Sequence, residues 1–130
     1  MIGYPFTALA TLLVLLVYAA LTAVVSRART VYGVAAPAVS GNLDFERRYR
    51  VQMNTLEQMP ILLPLLWLSA AAVGDIWAAI GAVVWSIGRV VYARAYYAEA
   101  AKRELGYVIS AIPILAMFVA VIVTLAIRLA

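Results

Sequence analysis

The chain has 130 residues, of which 67% are hydrophobic and 12% charged, and its formal net charge is +4. Soluble domains average roughly 45–50% apolar and about 25% charged residues, and a domain this small cannot bury so large an apolar excess. The chain contains no Cys and no His, which excludes a cysteine nucleophile, an imidazole base, the usual zinc site and a His-ligated haem.

Three stretches contain no charged side chain: residues 1–26, 58–74 and 105–127. Each approaches the roughly 20 apolar residues that cross a bilayer as a helix. The basic excess could indicate a nucleic-acid partner, but the basic residues flank the apolar stretches, where anionic lipid headgroups are the ordinary partner. We therefore expect an integral membrane protein that contacts membrane lipid, with no nucleic-acid partner and no bound metal.

The first predicted helix spans residues 5–26, with Pro5 in its first turn and Arg27 and Arg29 after its end. It is too long for the apolar region of a signal peptide, and no basic residue precedes it. Residues 30–41 have the Gly, Pro and Ser content of a loop.

The second predicted helix spans residues 43–73 and follows Asn42, a residue type that often caps helix N-termini. Pro60 and Pro64 lie inside it, which membrane helices tolerate when neighbouring groups satisfy the freed carbonyls. A tight turn at Gly74 follows, and Asp75 is the candidate cap of the third helix.

The third predicted helix spans residues 76–104, with Gly106 as its stop, and the fourth spans residues 107–128. The short connections predict an all-α fold, a four-transmembrane-helix antiparallel bundle that forms one domain over residues 1–130. A helix of about 30 residues is about 45 Å long, against a hydrocarbon core of about 30 Å. The second and third helices should therefore project beyond the membrane on one side.

Basic residues concentrate at one end of this predicted bundle. That end carries Arg27, Arg29, Arg47, Arg48, Arg50, Arg94, Lys102 and Arg103, whereas the opposite end carries Arg128 and Asp75. The positive-inside rule therefore predicts cytoplasmic basic loops and places both termini outside. The excess of Arg over Lys, with abundant Ala and Val, favours a bacterial source and hence the inner membrane.

Polar residues form one stripe on each of the two central helices. Arg47, Arg50, Asn54 and Glu57 occur at i, i+3, i+7 and i+10, and Arg89, Tyr92, Tyr96 and Arg103 occur at i, i+3, i+7 and i+14. Counting from the intervening turn places Glu57 level with Tyr92, and Arg89 about one turn deeper. The stripes can face each other, and such a seam suits an anionic or zwitterionic ligand that is rich in hydrogen-bond acceptors.

Glu57 and Arg89 each cost roughly 2.5–3.5 kcal/mol near the centre of a bilayer, so both should face protein and find partners. Two explanations account for these residues equally well: a structural salt bridge that fixes helix register, or a role in ligand binding. Arg48, Arg94 and Lys102 suit headgroup anchoring, and Trp67 and Trp85 suit packing.

Residues 45–60, FERRYRVQMNTLEQMP, resemble the second-helix signature of the membrane-associated proteins in eicosanoid and glutathione metabolism, the MAPEG family. Residues 88–96, GRVVYARAY, followed by Arg103, resemble the third-helix signature of that family. The two motifs occur in the family's order, and four spans in a chain of this length extend the resemblance to nearly all of it. The resemblance implies a homotrimer that holds glutathione between neighbouring subunits near the cytoplasmic side.

The resemblance also implies roles for individual residues. Glutathione-binding positions of the family match Arg50, Gln52, Asn54, Glu57, Tyr92 and Tyr96, and the polar stripes add Arg47 and Arg89 to this binding set. Arg103 matches the arginine that stabilises the glutathione thiolate, and Arg29 matches a further binding arginine and is the alternative catalytic residue. Two departures, Thr30 in place of a second arginine and Gln58 in place of an aromatic residue, favour a broad glutathione transferase over a dedicated leukotriene synthase.

The expected function is a membrane-bound, microsomal-type glutathione S-transferase, a detoxification enzyme that conjugates the thiolate of its co-substrate glutathione to lipophilic electrophiles. Glutathione peroxidase activity is left open. One alternative is a non-enzymatic, lipid-binding protein of the same fold. Another is a small proton-coupled multidrug transporter, although the first span lacks the acidic residue that such transporters use.

Overall fold

The computed structural model describes residues 3–130, and this part of the chain is helical throughout apart from short connections. The α-helices are α1 (Pro5–Tyr32), α2 (Leu43–Ala72), α3 (Asp75–Ala98) and α4 (Glu104–Leu129), and a 3₁₀ turn (Ala100–Arg103) precedes α4. All four helical segments are long and apolar enough to cross a membrane, which confirms the predicted all-α class with four spans. Helix α3 packs against each of the other three α-helices.

Helix α1 is longer than predicted, because it continues through Arg27 and Arg29 to Tyr32. Residues 27–32 contain neither Gly nor Pro, so nothing in them interrupts the helix. Gly33 ends it in the left-handed conformation, with φ of 67°, and donates its N–H to the carbonyl of Arg29. Two of the basic residues assigned to the first loop side therefore belong to the last turns of a helix.

Helix α2 starts as predicted. The Asn42 side-chain oxygen accepts hydrogen bonds from the backbone N–H groups of Asp44 and Phe45, at 2.9 and 3.1 Å. Asp44 in the first turn adds a negative charge near the positive end of the helix dipole. Pro60 and Pro64 lie inside the helix without ending it.

The prediction that Asp75 caps α3 is wrong. Its carboxylate instead accepts hydrogen bonds from the backbone N–H groups of Phe6 and Thr7, at 3.0 and 2.7 Å, and Thr7 Oγ1 donates to the Asp75 carbonyl. Helix α1 follows Tyr4, whose side chain makes no capping hydrogen bond, so its first N–H groups need an acceptor from elsewhere. Asp75 supplies that acceptor and ties the start of α1 to the α2–α3 turn.

The third and fourth helices also meet differently from the prediction. Helix α3 ends at Ala98 rather than at residue 104, and Gly106 lies inside α4 rather than ending α3. A Cβ atom at Gly106 would overlap the backbone of Tyr92, and one at Gly88 would lie 2.5 Å from the backbone N of Ser110. Both glycines are therefore required for the close approach of α3 and α4.

Candidate functional site

A cavity of about 420 Å³ lies between α2, α3 and the start of α4, and we refer to it as the seam cavity. It is lined by Arg50, Asn54, Glu57, Gln58, Arg89, Tyr92, Tyr96, Arg103 and Tyr107. The two predicted polar stripes therefore meet across one space, apart from Arg47. Arg50, Tyr96 and Arg103 lie near the end of the cavity that is closer to the 3₁₀ turn, which we call its outer end. Glu57, Gln58 and Arg89 lie nearer the middle of the bundle, at its inner end.

Four side-chain hydrogen bonds, grouped in three bridges, join α2 to α3 beside the cavity. Asn54 Nδ2 donates to Tyr92 Oη at 2.7 Å, Arg89 Nη2 donates to Thr55 Oγ1 at 2.8 Å, and Trp85 Nε1 donates to Gln58 Oε1 at 2.8 Å. On α3 the bridging residues Tyr92, Arg89 and Trp85 follow one another at about one turn. On α2 Asn54 and Thr55 are adjacent, and Gln58 follows three residues later. The bridges fix the two walls relative to each other before any ligand binds.

Arg89 is buried, with only 1% of its surface exposed, although it lies in a membrane-spanning helix. Its Nε and Nη2 both donate to Thr55 Oγ1, at 3.2 and 2.8 Å, and its guanidinium carbon lies 4.0 Å from the centre of the Tyr92 ring. No salt bridge joins it to Glu57 in residues 3–130, so that form of the prediction is wrong. The physical reason is that Thr55 faces α3 from the buried side of α2, whereas Glu57 is exposed beside the cavity.

Arg103 lines the cavity from the 3₁₀ turn and not from α3 as the sequence pattern predicted. It ends the 3₁₀ turn rather than continuing the α3 stripe, so the predicted i+14 spacing on one helix is wrong. Its guanidinium carbon nevertheless lies 5.6 Å from the centre of the Tyr96 ring, which in turn lies 5.5 Å from that of Tyr92. The change of direction after Ala98 brings an exposed cation over the outer end of the cavity.

Three predicted site residues do not line the seam cavity. Arg47 donates to the carbonyls of Tyr97 and Ala98 at the end of α3, at 3.4 and 3.3 Å. Gln52 Nε2 donates to Thr22 Oγ1 on α1, at 3.1 Å. Within a single chain, these two side chains hold helices together rather than contact the cavity.

Arg29 is the third of these residues, and it holds the first loop. Its Nη1 donates to the carbonyls of Val34 and Ala38, at 3.3 and 2.7 Å. Its guanidinium carbon also lies 4.9 Å from the centre of the Phe45 ring. Arg29 thus ties the loop after α1 to the first turns of α2.

Two residues in the cavity wall were not predicted to belong to the site. In the sequence Gln58 was noted only because it replaces an aromatic residue of the family pattern. Its position directly after Glu57 is a signal that could have predicted it as a site residue. Tyr107 is set against Tyr92 and Tyr96 by the 3₁₀ turn and by the close contact at Gly106, so no local signal could have found it.

The cavity is rich in hydrogen-bond donors and in positive charge. Three arginines line it, against the single carboxylate of Glu57. Tyr92 Oη accepts from Asn54, which leaves the Tyr92 hydroxyl proton free to be donated to a ligand. The arrangement complements a ligand with several negative groups and one positive group.

Comparison with known proteins agrees with this arrangement. The sequence model described as the MAPEG family matches residues 7–123. An uncharacterized protein of Synechocystis is 49% identical over 106 residues, which cover 82% of this chain and 74% of that protein. Mouse microsomal glutathione S-transferase 2 is 34% identical over 98 residues, covering 72% of this chain and 67% of the mouse protein. Bovine leukotriene C4 synthase is 33% identical over 93 residues, covering 72% of this chain and 62% of the bovine protein. The chain, with its four apolar helices and its two matching motifs, belongs to the MAPEG family.

Proposed function

We propose that this protein is a membrane-bound glutathione transferase that conjugates the glutathione thiolate to lipophilic electrophiles. The seam cavity carries the proposal, because it gathers three arginines, one carboxylate and three tyrosines at one end of a membrane bundle. Relatives named microsomal glutathione S-transferase 2 and leukotriene C4 synthase support a glutathione-related function. Membership of the MAPEG family also removes the multidrug-transporter alternative.

Glutathione carries two carboxylates, one ammonium and one thiol, and the charges of the cavity match this set. In this proposal Arg50, at the outer end, binds a carboxylate, and Glu57, nearer the middle of the bundle, binds the ammonium. Tyr92 and Asn54 add neutral hydrogen-bonding groups between these ends. Binding glutathione in this way needs no metal.

Arg103 is the residue that we propose to activate the thiol. A free thiol has a pKa of about 8.5, and an opposite charge within about 4–6 Å lowers the pKa of such a group by about 1–3 units. Arg103 lies against Tyr96 at the outer end of the cavity, where it can place its charge beside the sulfur. A thiolate would then form at neutral pH without a histidine base, which this chain lacks.

We further propose that the active form is a homotrimer. The cavity is open on one side, and Arg50 and Glu57 are exposed in a helix that spans the membrane, where an uncovered charge is costly. A neighbouring subunit can cover this opening. Because Arg29 and Gln52 lie outside the cavity of their own chain, they are the residues that a neighbour would contribute.

The orientation that we propose places the seam cavity near the cytoplasmic face of a bacterial inner membrane. The first loop and the 3₁₀ turn lie at the same end of the bundle, and most basic residues lie there. The positive-inside rule assigns that end to the cytoplasm and both termini to the outside. Reporter fusions at residues 35 and 100 should therefore report cytoplasmic positions.

The direct test is conjugation of glutathione to 1-chloro-2,4-dinitrobenzene by the purified protein in detergent. The thiolate sulfur bonds to the ring carbon that carries chlorine, chloride leaves, and the thiol proton passes to solvent. We expect glutathione-dependent formation of the dinitrophenyl conjugate. Tight binding of a lipid without conjugation of this or other electrophiles would instead support the non-enzymatic alternative.

A further inference from the structure

Gln58 lines the seam cavity and accepts a hydrogen bond from Trp85, which does not line it. Trp85 is completely buried in the bundle core, and its Nε1 donates to Gln58 Oε1 at 2.8 Å. An indole N–H can only donate, so the Gln58 amide must turn its oxygen toward Trp85. The Gln58 Nε2 group donates to no other group in residues 3–130, and its two N–H donors remain available.

The neighbours of Gln58 indicate what these donors bind. Glu57 is the adjacent residue in the cavity wall and can only accept hydrogen bonds when ionised, whereas Arg89 can only donate. An acceptor beside donors complements an ammonium and a carboxylate that share one carbon atom. In glutathione, only the γ-glutamyl residue carries both groups on one carbon.

We propose that Trp85 fixes Gln58 as a hydrogen-bond donor and thereby makes the inner end of the seam cavity selective for the γ-glutamyl α-carboxylate of glutathione. This inference rests on the proposed function. Gln58 is the specificity-determining residue and Trp85 is a positioning residue that touches no substrate. Without the indole N–H, the amide can rotate and turn its oxygen toward the carboxylate, which weakens binding of that group.

The experiment compares glutathione with γ-aminobutyryl-cysteinyl-glycine, which lacks only the γ-glutamyl α-carboxylate. Dissociation constants are measured for the full-length protein and for Trp85→Phe, which removes the N–H, and Gln58→Met, which removes the donor. Trp67→Phe is the matched control, because Trp67 is an exposed tryptophan of α2 that packs edge-on against Tyr4. Glutathione monoethyl ester, which blocks the glycyl carboxylate, tests whether an effect is confined to one end of the ligand.

We expect the wild-type protein and Trp67→Phe to prefer glutathione over the decarboxylated analogue strongly. Trp85→Phe and Gln58→Met should each reduce that preference about tenfold, since a hydrogen bond to a charged group contributes about that much. The preference over the ethyl ester should not change. A structural role of Trp85 would lower affinity for all three ligands together and leave the ratios unchanged.

An unchanged ratio in a folded Trp85→Phe protein would overturn the positioning role. If that variant does not fold, Gln58→Met and Gln58→Glu provide the test, because both keep Trp85 and remove the donor. The inference would be overturned if both variants kept the wild-type preference for glutathione over the decarboxylated analogue. A wild-type protein that binds glutathione and the analogue equally would also overturn it. A wild-type protein that binds neither would instead refute the proposed function.

Discussion

Replacing Thr55 with Val should destabilise the bundle more than a loss of one hydroxyl usually does. Thr55 Oγ1 accepts from both Nε and Nη2 of Arg89, and valine keeps the branched shape while removing that oxygen. Arg89 is 1% exposed, and the second methyl group of valine fills the position of the hydroxyl, so no acceptor replaces the lost oxygen. The variant therefore leaves a buried cation without the two hydrogen bonds that satisfy it.

The two bonds share one acceptor, so we treat them as a single interaction with a charged group, which contributes about 1.5–3 kcal/mol. Thr55 Oγ1 also donates to the Val51 carbonyl, and losing this intrahelical bond adds little. We expect Thr55→Val to lower the free energy of unfolding by about 2–3 kcal/mol. The contact between the guanidinium and the Tyr92 ring should loosen as well.

Thr55→Ser is the matched control, because it keeps the oxygen and removes only a buried methyl group, at a cost of about 0.8 kcal/mol. Both variants should be unfolded thermally in the same detergent and followed by circular dichroism. Equal stability of the valine and serine variants would show that the hydrogen bonds from Arg89 to Thr55 do not stabilise the bundle.

Three further predictions concern the bundle and the proposed chemistry. Gly106→Ala should push α4 away from Tyr92 and cost about 1–3 kcal/mol by overpacking, visible as a lower unfolding temperature, whereas Gly3→Ala, which meets open space, should have no such effect. Asp75→Ala should lower the unfolding temperature, because two N–H groups of α1 lose their acceptor, and hydrogen exchange should rise selectively at Phe6 and Thr7. Arg103→Ala should lower turnover at neutral pH roughly tenfold to a thousandfold, with partial recovery as pH rises above the pKa of the unassisted thiol. An unchanged pKa of the bound thiol, read from thiolate absorbance near 240 nm, would move the activating role to Arg29.

The sequence by itself determined the features that depend on local chemistry. Long charge-free stretches are sufficient to predict membrane helices, because no other structure satisfies the backbone in lipid. Asn42 caps α2 as expected, because a cap contacts only residues two and three positions away. Arg50, Asn54 and Glu57 share a cavity wall because helical periodicity alone places them on one face.

Only the tertiary structure decided the partners of groups that are distant in the chain. Asp75 caps α1 across 68 residues, and Arg89 contacts Thr55 rather than Glu57. In both cases a charged group takes the polar partner that helix packing brings within reach, and sequence spacing does not encode that distance. Arg103 enters the site because the chain turns after α3 and because Gly106 lets α4 approach Tyr92 closely. Such a turn and such a contact depend on how whole helices pack, and packing is a property of the assembled bundle rather than of any segment.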